Sequence, residues 1–213
     1  MPPERNILRY SRRSRVFHWL HSLAFVILLL TGLARLLHHN PSTAFHAVII
    51  VHMAAAVLFT GLPLVYYLIW PRQVVEFVKG VFQWRPSDLQ WLKAAPAYYF
   101  GGSQDKMPAQ GWINPGQRAW ELALISSGLI FILTGIPLWF FKFRIPLAAY
   151  EWALSIHAVV FFGIFIFFLV HVYLGVLHPL FKESWRSMLD GHISAHYAKT
   201  HYRRWFEKEK REK

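Results

Sequence analysis

The 213 residues are 55% hydrophobic and only 16% charged, a balance that suits several membrane spans better than one soluble core. The absence of cysteine excludes disulfides, thiolate metal sites, iron–sulfur ligation and covalent haem attachment. A formal charge of +12 would suit nucleic acid, but the basic residues lie between apolar stretches, where positive-inside topology accounts for them. No repeat of about 20–50 residues is visible, which sets repeat architectures aside.

In chain order, residues 1–15 are polar and carry Arg5, Arg9, Arg12, Arg13 and Arg15. The apolar run 16–37 follows; it is too long for a signal peptide and lacks a small-x-small cleavage site, so it reads as a retained span. Arg35 snorkels at its far end. A short turn, HHNPST, leads to a second span at 45–70, which contains His52 and Pro63. Residues 71–84 interleave Val74, Val75, Phe77, Val78, Val81 and Phe82 with Arg72, Glu76 and Lys79, the pattern of an amphipathic helix on a membrane surface. Residues 85–115, with Pro86, Pro96, Pro108, Pro115 and three glycines, read as one long irregular connection. The third span is 120–141, with Gly128, Gly135 and Pro137, and the fourth is 150–178. The expected fold is therefore an all-α membrane protein: one domain over 1–213, a four-transmembrane-helix bundle with a loop at 71–119 and a polar, basic tail at 179–213.

Counting Lys and Arg orients the spans. Twenty of the 23 lie in the N-terminal segment, the central loop with Arg118, and the tail; only Arg35, Lys142 and Arg144 lie opposite. Both termini are expected in the cytoplasm.

Topology gives each histidine a depth. In the fourth span, His157 and His171 are fourteen positions apart, which returns to within ~40° of the same helix face and separates them by ~21 Å. An imidazole in hydrocarbon is a functional-site hypothesis by default. His52 matches the depth of His157 in the outer half, and His18 or His21 matches His171 in the inner half. Two pairs of facing histidines in a four-helix bundle suit two haem b groups, each held by one imidazole per face. Zinc is less natural, since it wants four close ligands. Gly32, Gly61, Gly128, Gly135, Gly163 and Gly175 suit close approach of a flat ring or, equally, helix–helix packing. His38, His39, His46, His178, His192, His196 and His201 read as solvated surface histidines, with His38, His39 or Arg35 as alternative partners for a haem propionate.

These residues resemble a family. RVFHW opening the first span, His52 in the second, INPGQR leading into the third, SIHAVV and FLVHVYLG in the fourth, and the ending MLDGHISAHYAKTHYRRWF together resemble the gamma (cytochrome b) subunit of respiratory membrane-bound formate dehydrogenase. The similarity extends over about residues 9–206. It implies a di-haem cytochrome b of the bacterial inner membrane and respiratory chain, with His52 and His157 ligating the outer haem and His18 and His171 the inner. It further implies a quinone pocket, for menaquinone or ubiquinone, at Asn114, Gly116, Gln117 and His171. By themselves Asn114–Gln117 read equally as a turn and helix start. The implied partners are an iron–sulfur beta subunit, a catalytic alpha subunit that oxidises formate, and membrane lipid, in a complex that leaves room for a higher oligomer; nucleic acid is not among them. Stretch 93–112 is longer and richer in Gly and Pro than the family pattern. The rival readings are a cytochrome b subunit of a hydrogenase or other periplasmic oxidoreductase, and a haem-free transporter or scaffold that uses its histidines for protons or metal.

Overall fold

The computed structural model describes residues 6–37, 43–103 and 107–211, and side chains in the second helix from His46 onward. Four helices are long and apolar enough to cross a membrane: α1 (Arg12–Leu37), α2 (Thr43–Ile69), α5 (Pro115–Phe140) and α6 (Leu147–Val172), the last continued by a π-helical turn at Tyr173–Leu177. The 26 residues of α1 rise about 39 Å, enough for a hydrocarbon core of about 30 Å. The protein is a multi-pass, four-helix membrane protein. The chain forms two compact units, the first comprising Val16–Val74 and Ala123–Leu169 and the second the remaining described segments.

Side-chain contacts give the first unit its helix order. Phe17 meets Tyr66 and Phe25 meets Phe59, joining α1 to α2; Phe25 also meets Phe168, joining α1 to α6. A Cβ on Gly128 would lie 3.8 Å from Phe59, so α5 lies beside α2, and Thr134 binds His157, so α5 also lies beside α6. Among the described residues, these contacts put α2 and α6 each beside α1 and α5, diagonal to one another. Large apolar side chains such as Val57, Leu68 and Val159 are exposed on this unit, as lipid contact allows.

The second unit contains α3 (Pro71–Phe82) from Val75, α4 (Pro86–Tyr99), the starts of α1 and α5, the end of α6, and the tail. The expectation of an irregular 85–115 is corrected by α4. Pro86 sits in the first turn, where its missing N–H costs nothing, and Asp88 accepts the backbone N–H of Arg85 at 2.8 Å. Asp88, Trp91, Ala95 and Tyr98 then recur at helical spacing as its buried face. The Asp88 carboxylate also pairs with Arg118, holding α4 against the start of α5.

The tail is likewise folded rather than simply polar. It comprises α7 (Lys182–Leu189), β2 (His192–Ser194), α8 (Ala195–His201) and α9 (Arg203–Arg211) around a core of Ile193, Tyr197, Ala198, Tyr202 and Phe206. The strand β1 (Asn6–Leu8) pairs antiparallel with β2, in register Ile7 to Ile193. Gly191 enters this ribbon at φ +95°, and a Cβ there would meet the Tyr10 carbonyl at 2.7 Å, so glycine is required. Arg9 is buried across the junction. Its guanidinium lies 3.6 Å from the Tyr202 ring centroid and 5.2 Å from that of Trp205, and it donates to the Trp112 carbonyl at 2.7 Å.

Candidate haem and quinone sites

In the first unit, His52 on α2 and His157 on α6 project from diagonal helices and lie within electrostatic reach of each other and of Arg35. Each imidazole is held by a threonine of a neighbouring helix: Thr31 Oγ1 lies 2.8 Å from His52 Nδ1, and Thr134 Oγ1 lies 2.8 Å from His157 Nδ1. A glycine follows each threonine. A Cβ on Gly32 would lie 3.8 Å from His52 Cε1, and one on Gly135 would lie 3.7 Å from His157 Cε1. The Phe131 ring lies 4.7 Å from His157. Two imidazoles bound through Nδ1 have Nε2 left over for a metal, and small residues keep the space beside each ring clear. This donor set fits a bis-histidine haem.

His18 and His21 differ in their surroundings. His21 Nε2 lies 3.2 Å from the Phe59 carbonyl, and its ring is stacked between Phe17 and Phe59, with centroids 5.3 and 4.1 Å away. His18 Nδ1 is buried and makes no hydrogen bond, so no protein group holds the ring at that atom. In the second unit, His171 stacks on Trp120 at 4.4 Å and 15°. Among the described residues, no three His, Asp or Glu side chains gather into a site for a bare metal ion.

Asn114 and Gln117 form a reciprocal cap on α5. Asn114 Oδ1 accepts the Gln117 N–H at 2.8 Å, and Gln117 Oε1 accepts the Asn114 N–H at 3.0 Å. Their carbonyl oxygens are used by the helix start, and their amide NH2 groups remain as donors. A Cβ on Gly116 would lie 3.3 Å from both Trp91 and Asn114 Oδ1, so α4 packs closely against the start of α5 at this glycine. Asn114 and Trp91 line a cavity of about 590 Å³ shared with Tyr98, Gln110, His201 and Tyr202, within the size range of small-molecule sites. Gly116, Gln117 and His171 are not among its lining residues.

Two expectations of solvated histidines are corrected. His178 is buried, with Nε2 lying 3.1 Å from the Tyr99 carbonyl, among Tyr99, Tyr173 and Phe181. His201 stacks on Tyr197 at 4.0 Å and lies 3.1 Å from the Tyr98 hydroxyl; burial pushes its pKa down to about 4, so it is neutral near pH 7. His46, His192 and His196 are exposed, and His38 and His39 lie outside the described residues. Thr31, Thr134 and Trp120 do not stand out from the sequence as site residues, although a Thr-Gly pair repeated in apolar spans is a signal for the two threonines.

Comparisons with known proteins find cytochrome b subunits as relatives. The chain is 25% identical to a formate dehydrogenase cytochrome b556 subunit of Haemophilus influenzae, over 95% of this chain and 83% of that one. It is 21% identical to the cytochrome b556(fdo) subunit of formate dehydrogenase from Escherichia coli K12, over 94% and 92%. It is 26% identical to the nitrate-inducible b556(Fdn) subunit of the same organism, over 56% and 54%. These names bear out the resemblance read from the sequence. The sequence profile of the prokaryotic cytochrome b561 family matches residues 9–191, and with that coverage the chain belongs to this family of haem b membrane proteins.

Proposed function

We propose that this chain is the di-haem membrane subunit of a formate dehydrogenase complex, carrying electrons from an iron–sulfur subunit on the outer side across the membrane to reduce quinone near the cytoplasm. Formate oxidation then belongs to the catalytic subunit. The observation that carries this reading is the pair of threonine-anchored imidazoles, His52 and His157, on diagonal helices. Both termini lie in the cytoplasm of a bacterium, beneath the inner membrane, as the distribution of basic residues implies.

His52 and His157 hold the outer haem, and His18 and His171 the inner. The engagement of His21 Nε2 by the Phe59 carbonyl supports that choice. Bound haem supplies reversible one-electron chemistry. The chain's own share is to present the imidazoles, to exclude water with Phe25, Phe59, Phe131 and Phe161, and to put the Arg35 cation within reach of the outer pair. Trp120 fixes the plane of His171. Quinone is the substrate. Asn114 and Gln117 donate amide hydrogens to its carbonyl oxygens, and reduction consumes two protons per quinol, drawn from the side of the membrane that bears the tail.

The test separates capping from binding. Asn114→Asp with Gln117→Glu keeps both acceptor oxygens of the cap and removes both amide donors. Quinol formation by the complex is expected to fall at least about 10-fold, in keeping with the loss of two hydrogen bonds, with haem content unchanged. Full turnover in this variant would remove Asn114 and Gln117 from the pocket.

A further inference from the structure

The dipeptide Thr-Gly occurs in three of the four spans, at Thr31-Gly32, Thr60-Gly61 and Thr134-Gly135. All three threonine hydroxyls reach back to the carbonyl four residues earlier: Thr31 to Ile27 at 2.6 Å, Thr60 to Ala56 at 2.8 Å, Thr134 to Ile130 at 2.7 Å. A carbonyl oxygen only accepts, and a hydroxyl has one proton, so that proton lies on the intrahelical bond. The hydroxyl oxygen of Thr31 and Thr134 is then an acceptor, and the group facing it at 2.8 Å is the Nδ1 of His52 and of His157, respectively. Nδ1 must therefore carry the hydrogen. A neutral imidazole protonated on Nδ1 has its lone pair on Nε2.

We infer that Thr31 and Thr134 are positioning residues that lock His52 and His157 in the Nδ1–H tautomer, so that both present an unprotonated Nε2 and each has its own weakly basic hydroxyl partner, the two together setting the redox poise of the outer haem. The inference rests on the assignment of His52 and His157 as haem ligands. A hydroxyl draws less on Nδ1–H than a carboxylate would, which keeps the imidazole a moderate donor. Removing the acceptor makes the ligand a poorer donor still and favours the reduced haem. The adjacent glycines serve the same end, since Gly32 and Gly135 lie against the Cε1 edge of these two rings and a longer side chain would turn them. Thr60 has the same back-bond and the same glycine but bonds the carbonyls of Ala56 and Val57 and no imidazole among the described residues, so it is an internal control.

The experiment is a redox titration of the full chain carrying haem, comparing Thr31→Val, Thr134→Val and Thr60→Val with the serine variants Thr31→Ser and Thr134→Ser. Valine is expected at Thr31 or Thr134 to raise the midpoint potential of one haem and weaken its retention about 10–100-fold. Serine is expected to restore both properties, and Thr60→Val to change neither. Unchanged potentials in the valine variants would overturn the inference, as would failure of serine to restore them or an equal shift in Thr60→Val. If valine abolishes haem uptake, nitrogen NMR of 15N-histidine in the reduced, haem-loaded wild-type chain decides, with a protonated Nδ1 expected on both ligands and a proton on Nε2 contradicting the inference. A wild-type chain that binds no haem would instead remove the ligand assignment on which the inference stands.

Discussion

His18 and His21 stand three positions apart on α1, and sequence depth alone left both as partners for His171. What separates them is a neighbour on another helix. The Phe59 carbonyl and the flanking Phe17 and Phe59 rings engage His21, whereas His18 has a buried nitrogen without a bond. A backbone carbonyl 38 residues away has no signature in composition or spacing, which is why only resemblance favoured His18. His18→Ala is expected to lose one of two haems, measured as haem per chain, and His21→Ala to keep both. Loss confined to His21→Ala would reverse the assignment. The same logic applies to His178, whose burial beneath Tyr99 depends on α4, an element that the prolines concealed.

At the scale of elements, the spans were legible because lipid allows few solutions: a backbone without water must satisfy itself in a helix, and the bilayer sets its length. The connections were less legible because soluble packing accepts many patterns. Helix α4 begins at a proline and contains another, Pro96, yet Asp88, Trp91, Ala95 and Tyr98 align on one face and Arg118 pairs with Asp88. The tail read as polar because its core residues are spaced among Lys, Arg and His. Its organising contact is Arg9, far upstream, over the Tyr202 and Trp205 rings. Loss of a desolvated cation–π contact and of the bond to the Trp112 carbonyl costs about 2–4 kcal/mol. Arg9→Ala is therefore expected to open the tail to limited proteolysis at temperatures where the wild-type chain resists. Arg9→Lys, which keeps the charge but not the planar fork, should fall between. Equal protection in all three proteins would mean that the ribbon of β1 and β2 holds the tail without Arg9.

Three of the four apolar helices, α1, α2 and α6, carry histidines that are proposed to hold two haem b groups, and the rise along α6 separates His157 from His171 by about 21 Å. Hydropathy and histidine spacing carried the four-helix architecture, and membership of the prokaryotic cytochrome b561 family agrees with it. The hydroxyls that anchor the outer imidazoles became visible only when neighbouring helices were in place. The most direct measurement is the reduced-minus-oxidised visible spectrum of the purified full chain, with extracted haem counted against protein. B-type absorption and two haems per chain are expected; no b-type absorption, or one haem at full occupancy, would overturn the di-haem reading.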